Sequence, residues 1–256
     1  MRVLLVGDII GRPGRVAVEK LLPGLKRQYD LDLVIVNAEN SSGGFGITPD
    51  TAQELLDQGA HVLTSGNHIW AQRDIIPYIK GEVPLLRPLN YPPGVPGKGY
   101  IIMGKAMVVN LMGRTFMTDI DCPFRAMDKL LAEVPHKPPV IIVDFHAEAT
   151  SEKMAMGRYL DGRVSAVLGT HTHVGTIDTQ ILPKGTAYVT DVGMTGPTNS
   201  IIGDDPEAVI QRFLTGMPHR LSVGSGKPVL NAVLVEVAED SGKAIRIERI
   251  SQRPGD

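Results

Sequence analysis

Short apolar runs, each ending on a polar segment that carries Asp, Asn, Glu or His, recur along this chain with helical stretches between them. The first run is Val3-Leu4-Leu5-Val6, stopped by Gly7-Asp8. Residues 12–29 after it place Val16, Val18, Leu21, Leu22 and Leu25 at roughly helical spacing, and Pro23 inside that stretch predicts a kink or a split. Residues 31–36 form a second run, ending at Asn37-Ala38-Glu39-Asn40. Thr48-Pro49 then opens a helix, a capping residue ahead of a first-turn proline. Residues 61–64 are a third run, ending at Ser65-Gly66-Asn67-His68, before a helical piece over 72–79. Residues 140–145 and 164–168 repeat the pattern and end at His146 and at Gly169-Thr170-His171-Thr172-His173, with helices predicted over 123–134, 151–160 and 206–214. Such alternation builds an α/β fold in which helices cover a largely parallel sheet. Turn residues between paired runs predict hairpins of 100–103 with 106–111, 179–182 with 186–189, and 229–237 with 244–250. One domain spanning residues 1–256 and built from two mixed sheets is the expectation.

Composition narrows the chemistry. Hydrophobic residues at 43% and charged residues at 21% match an ordinary water-soluble domain. Twenty-six basic against 28 acidic residues leave a net charge of −2, so no long-range pull toward nucleic acid or anionic lipid exists. Any anionic ligand must be held by local charge. Cys122 is the only cysteine, which excludes an intrachain disulfide and a thiolate metal cluster and fits a reducing cytoplasm. No stretch has eighteen consecutive apolar residues, and the N-terminal run is too short for a signal core, so the chain is expected to be cytoplasmic and off the membrane. There is no G-x-G-x-x-G, no Gly-Lys followed by Ser or Thr, and no G-x-S-x-G, which argues against dinucleotide, P-loop and serine-hydrolase chemistry.

Asp8, Glu39-Asn40, Asn67-His68, His146 and His171/His173 all fall at or just beyond the C-terminal ends of predicted strands. Parallel strands bring those ends to one edge, where open α/β sheets bind ligands. Taken singly, each residue has an ordinary reading as a turn former, a solvated carboxylate or a core histidine. Together, two carboxylates, two amides and several imidazoles are the O and N donors that a pair of divalent metals needs. Alternate residues of an extended segment point to opposite faces, so His171 and His173 suit two neighbouring ions better than one.

At these residues the chain resembles the calcineurin-like metallophosphoesterases, and within them the YmdB-like branch of bacterial phosphodiesterases. The similarity runs from Val-Gly-Asp-Ile-Ile-Gly at residues 6–11 to the final strands; Asn37-Ala38-Glu39-Asn40, Gly66-Asn67-His68 and Gly169-Thr170-His171-Thr172-His173 are its most specific pieces. The resemblance implies a four-layer α/β/β/α sandwich with two mixed sheets. It implies that Asp8, Glu39, Asn40 and His173 hold one metal, that Glu39, Asn67, His146 and His171 hold the second with Glu39 bridging, and that His68 donates a proton. The wider superfamily has His where Ile10 stands and Asp where Glu39 stands; the YmdB-like branch shares both departures. Three oxygen donors and one imidazole at the first site suit iron or manganese at least as well as zinc, with iron placed first.

Two divalent ions bring four positive charges against two negative ones from Asp8 and Glu39, which explains how an acidic protein could attract a phosphodiester. The expected reaction is hydrolysis of a cyclic nucleotide, 2′,3′ or 3′,5′, by a metal-bridging hydroxide, with His68 protonating the leaving oxygen. The alternatives are a metal-dependent phosphomonoesterase or nuclease, or a non-catalytic RNA-associated regulatory metal-binding protein. The partner expectations are a small cyclic nucleotide, RNA as an alternative, no membrane, and a homo-oligomer. His61, His136 and His219 stand beside no matched motif and receive no role, and Arg12 reads as a solvated side chain.

Overall fold

The computed structural model describes residues 1–255. In chain order, the first part forms β1 (Arg2–Val6), α1 (Gly11–Tyr29), β2 (Leu33–Asn37), α2 (Pro49–Asp57), β3 (Val62–Thr64), α3 (Ile75–Tyr78), β4 (Tyr100–Met103), β5 (Ala106–Met112) and α4 (Pro123–Glu133). There follow β6 (Val140–His146), α5 (Thr150–Leu160), β7 (Ala166–Thr170), β8 (Gln180–Ile181), β9 (Ala187–Val189), β10 (Gly196–Asp204), α6 (Pro206–Thr215), β11 (Val223–Val237) and β12 (Ala244–Gln252).

Strand parity sorts the apolar residues into layers. Val3 and Leu5 of β1, Leu33 and Ile35 of β2 and Val62 of β3 face inward, where they meet Val108, Val140, Ile142, Ala166, Leu168 and Val189 of a second sheet. Their neighbours Leu4, Val6, Val34, Val36 and Leu63 face outward onto Val18 and Leu22 of α1 and Ala52 and Leu55 of α2. On the far side, Val109, Leu111, Ile141, Val143 and Val167 carry α4 and α5 through Met127, Leu130, Met156 and Leu160. Each such fully buried Leu, Ile or Val contributes about 1.5–3 kcal/mol. The result is the expected α/β/β/α stack. The first sheet runs β10-β11-β1-β2-β3 with β12 also on β11, and the second runs β4-β5-β6-β7-β9-β8. In the first, β1, β2 and β3 are parallel, with antiparallel β11 beside β1; in the second, β5, β6, β7 and β9 are parallel, with antiparallel β4 and β8 at the two ends.

Two local expectations need correction, and one strand carries no expectation at all. Helix α1 runs unbroken through Pro23. Pro23 and Gly24 lie on its exposed side, where the carbonyl freed by the missing N–H meets solvent, while buried Leu22 and Leu25 hold the turns around them. The helical piece over 72–79 shrinks to the single turn of α3, for Asp74 makes no side-chain cap and Pro77 stands inside the turn. Strand β10 has no sequence signal, because Gly-Pro-Thr-Asn-Ser-Ile-Ile-Gly-Asp has neither an apolar run nor alternation; it forms by pairing with an N-terminal extension of β11.

Both sheets deliver the C-terminal ends of their parallel strands to one edge. There the Asn37 amide nitrogen donates to Asp144 Oδ2 at 2.9 Å across the two sheets, and the Thr64 hydroxyl donates to the same carboxylate.

Candidate metal centre

Three of the four imidazoles at this edge, those of His146, His171 and His173, have their outer nitrogens engaged, which fixes where their lone pairs point. Thr170 donates its hydroxyl to Asp144 Oδ1 at 2.7 Å, so its oxygen accepts from His146 Nδ1 at 3.1 Å and leaves His146 Nε2 bare. His173 Nδ1 donates to the Ile202 carbonyl at 2.6 Å, leaving Nε2 facing Asp8 Oδ1 at 4.0 Å. His171 Nε2 pairs with Glu148 Oε2 at 3.0 Å, leaving Nδ1 turned to His146 Nε2, also at 3.0 Å. Asn67 Oδ1 is a third acceptor 3.0 Å from His146 Nε2. Lone pairs this close with no proton between them repel unless a cation joins them, and histidines oriented by an outer carboxylate or carbonyl are the usual arrangement around metals.

Carboxylate burial points the same way. Asp8 and Asp144 are 0% exposed and Glu39 is 1% exposed. Burial pushes the Glu39 carboxyl up to about 8 and Asp144 up to about 7, and raises Asp8 as well. Burial also draws His171 down to about 4 and His146 well below its ordinary range. Buried charge of this kind is normally paired or bound to metal. Glu39 accepts the Gly66 and His68 backbone N–H groups, one on each oxygen. Asp8 Oδ1 and Asn40 Oδ1 are buried and accept nothing, while the Asn40 amide nitrogen donates to the Gly44 carbonyl and so fixes which end of the amide faces inward. Among the described residues no three His, Cys, Asp or Glu side chains close on one point by themselves. Besides these side chains, the edge offers two amide oxygens, Asn67 Oδ1 beside His146 Nε2 and the unpartnered Asn40 Oδ1.

All eight side chains singled out in the sequence therefore meet at this edge. His68 sits beside Asn67, with its ring 4.3 Å from that of Phe45 and drawn below its ordinary pKa first by burial and then by His173. A cavity of about 570 Å³ opens over Glu39, Asn40, His68, His171 and His173, and its outer wall includes Phe45, Arg212 and His219. His219, given no role from its sequence context, thus belongs to the cavity wall; its loop placement carried no local signal. His61 accepts the Val34 N–H, His136 sits in an exposed turn, and Arg12 is exposed. A larger groove of about 820 Å³ beside α4 contains none of the converging donors.

Sequence reasoning missed Asn37, Asp144, Glu148 and Thr170. Asn37 and Thr170 stand inside the motifs that end β2 and β7 but received no role there, and Asp144 left a trace as a carboxylate inside the apolar run Val-Ile-Ile-Val-Asp-Phe. Gly66 is also constrained, since a Cβ there would overlap the His146 ring. Gly66→Ala is expected to keep a native far-UV spectrum and lose metal content and turnover together; wild-type metal content would show that the His146 ring is free to move.

The chain matches the family model described as YmdB-like protein over residues 4–250. It is 48% identical over 254 residues to the 2′,3′-cyclic-nucleotide 2′-phosphodiesterase of Bacillus subtilis, covering 98% of this chain and 96% of that one. Among solved structures, a hypothetical protein from Thermus thermophilus superposes with a TM-score of 0.93 at 45% identity, over 99% of this chain and 100% of that one. A novel phosphatase from Mycoplasma pneumoniae superposes with a TM-score of 0.92 at 36% identity, over 99% and 93%. Full-length identity at this level, joined to a shared fold, places the chain in the YmdB-like family.

Proposed function

We propose that this protein is a metal-dependent phosphodiesterase that opens cyclic nucleotides, 2′,3′, 3′,5′ or both, at a dinuclear centre. The observation that carries the reading is the set of three imidazoles with engaged outer nitrogens, His173 turning Nε2 to Asp8 Oδ1 at 4.0 Å, His146 turning Nε2 to Glu39 Oε1 at 3.8 Å and Asn67 Oδ1 at 3.0 Å, and His171 turning Nδ1 to that same His146 nitrogen. Asp8, Glu39, Asn40 and His173 would hold one ion, and Glu39, Asn67, His146 and His171 the other. Iron is the first choice, with manganese and zinc as alternatives, because the oxygen-rich first set does not demand a tetrahedral ion. When bound, the ions supply an activated water nucleophile and neutralise charge on the phosphoryl oxygens.

The protein's own groups do the rest. Thr170, Glu148 and the Ile202 carbonyl hold the imidazoles in one tautomer, so no proton competes for the inner nitrogens. His68, packed on Phe45 at the cavity rim, protonates the leaving ribose oxygen. A single domain over residues 1–256 is part of the proposal, supported by the apolar layer that the two sheets share. A cytoplasmic setting is supported by the lone cysteine, and no described helix is long and apolar enough to cross a membrane. A homo-oligomer is supported by the exposed apolar Phe213, Leu214 and Met217 at the end of α6. With a net charge of −2, a small nucleotide is favoured over RNA.

Protein loaded with iron, manganese or zinc is to be compared on a 2′,3′-cyclic nucleotide, a 3′,5′-cyclic nucleotide, a phosphomonoester and a short RNA. The cyclic diesters are expected to turn over fastest. Turnover confined to the monoester, or none with metal bound, would overturn the assignment.

A further inference from the structure

We propose that the buried Lys153–Asp191 ion pair is a clasp that sets the backbone of the His171-Thr172-His173 segment and thereby holds both imidazoles in place; this rests on reading His171 and His173 as metal ligands. Lys153 comes from α5 on the outer helical layer and is 1% exposed, yet its Nζ reaches Asp191 Oδ2 at 2.6 Å. Asp191 is 0% exposed and follows β9. A lysine on a covering helix is ordinarily solvated. Here its stem passes the end of β7, with Cδ 3.2 Å from the place a Cβ on Gly169 would occupy.

The carboxylate spends its remaining capacity on the histidine segment. Asp191 Oδ2 accepts the Thr172 backbone N–H at 3.1 Å and the Thr172 hydroxyl at 2.8 Å, while Oδ1 accepts the Gly193 N–H at 2.8 Å. Thr172 lies between the two histidines, and its side chain is drawn toward Asp191. The backbone on both sides of it is strained: φ is 104° at His171 and 66° at His173, conformations that side-chain-bearing residues avoid. Such strain persists only where surrounding contacts over-determine it. The Met194 N–H donating to the His173 carbonyl at 3.0 Å, and the Val192 N–H donating to the Gly169 carbonyl at 2.9 Å, tie the stretch carrying Asp191 to the same segment. Lys153 and Asp191 touch no donor of the cluster with a side-chain hydrogen bond; they act through Thr172, as positioning residues.

The test uses full-length wild type, Lys153→Met and Thr172→Val, each stripped of metal and titrated with manganese(II) by calorimetry, with far-UV circular dichroism to show folding. Thr172→Val leaves the ion pair intact and severs only its hydroxyl link to the segment, so a role confined to stability would leave its metal affinity unchanged. Both variants are expected to fold and to bind manganese at least about 10-fold more weakly than wild type, the lower end of what removing a direct hydrogen-bond partner of a metal ligand costs. If Lys153→Met fails to fold, Thr172→Val decides alone. Wild-type affinity in a folded Lys153→Met or in Thr172→Val would overturn the clasp. A wild-type chain that takes up no pair of ions would instead overturn the dinuclear reading beneath it.

Discussion

Replacing Asp8 with alanine is expected to cost the protein both metal and catalysis. Asp8 is fully buried, its Oδ1 accepts no hydrogen bond, and Oδ2 accepts the His171 N–H at 3.3 Å. In the proposed first set, removing this carboxylate takes away the one carboxylate not shared with the second set and leaves Asn40 and His173 with only the shared Glu39. Metal-ion stabilisation of a phosphoryl transition state is worth several kcal/mol, so turnover should fall about 10⁴-fold or more at about 1.4 kcal/mol per decade. Metal analysis by plasma mass spectrometry should find fewer than two ions per chain. A fully metallated, active Asp8→Ala protein would remove this residue from the site.

His68→Ala should behave differently. The side chain lies beside Asn67 at the cavity wall but outside the set of converging lone pairs, so metal content is expected to stay at the wild-type level. Turnover of a cyclic nucleotide should drop by about 10²–10⁴-fold, the usual weight of general acid catalysis. The sign of the pH effect follows from the direction of the shift. Burial and His173 draw the imidazole below its ordinary pKa, so the protonated donor is lost as pH rises through that lowered value, and the wild-type rate should fall on that limb. The variant should lack the limb. A p-nitrophenyl diester, whose leaving group needs no proton, should show a much smaller loss. An equal loss on both substrates would mean that His68 does not act as the acid.

What is legible in the sequence divides from what is not along a physical line. Apolar runs such as Val3-Leu4-Leu5-Val6 announce strands because burial on both faces demands them, and the polar residue ending each run announces the sheet edge. That is enough to bring Asp8, Glu39, Asn40, Asn67, His68, His146, His171 and His173 to one place. The groups that orient them are not legible, because their partners are distant in the chain: Asn37 meets Asp144 107 residues on, and Lys153 meets Asp191 38 residues on. Nothing local marks Thr170 as the link between Asp144 and His146. Strand β10 and the shortened α3 escape for the opposite reason, since pairing with β11 overrides a weak pattern and Pro77 cuts a plausible one.

Two cations sharing Glu39 are the centre of the proposed chemistry, and anomalous diffraction from crystals of the metal-loaded protein tests for them most directly. Data collected on either side of the iron or manganese absorption edge should give two peaks flanking the Glu39 carboxylate, one toward Asp8, Asn40 and His173 and one toward Asn67, His146 and His171. No peak at that carboxylate, or a solitary one at full occupancy, would contradict the dinuclear centre.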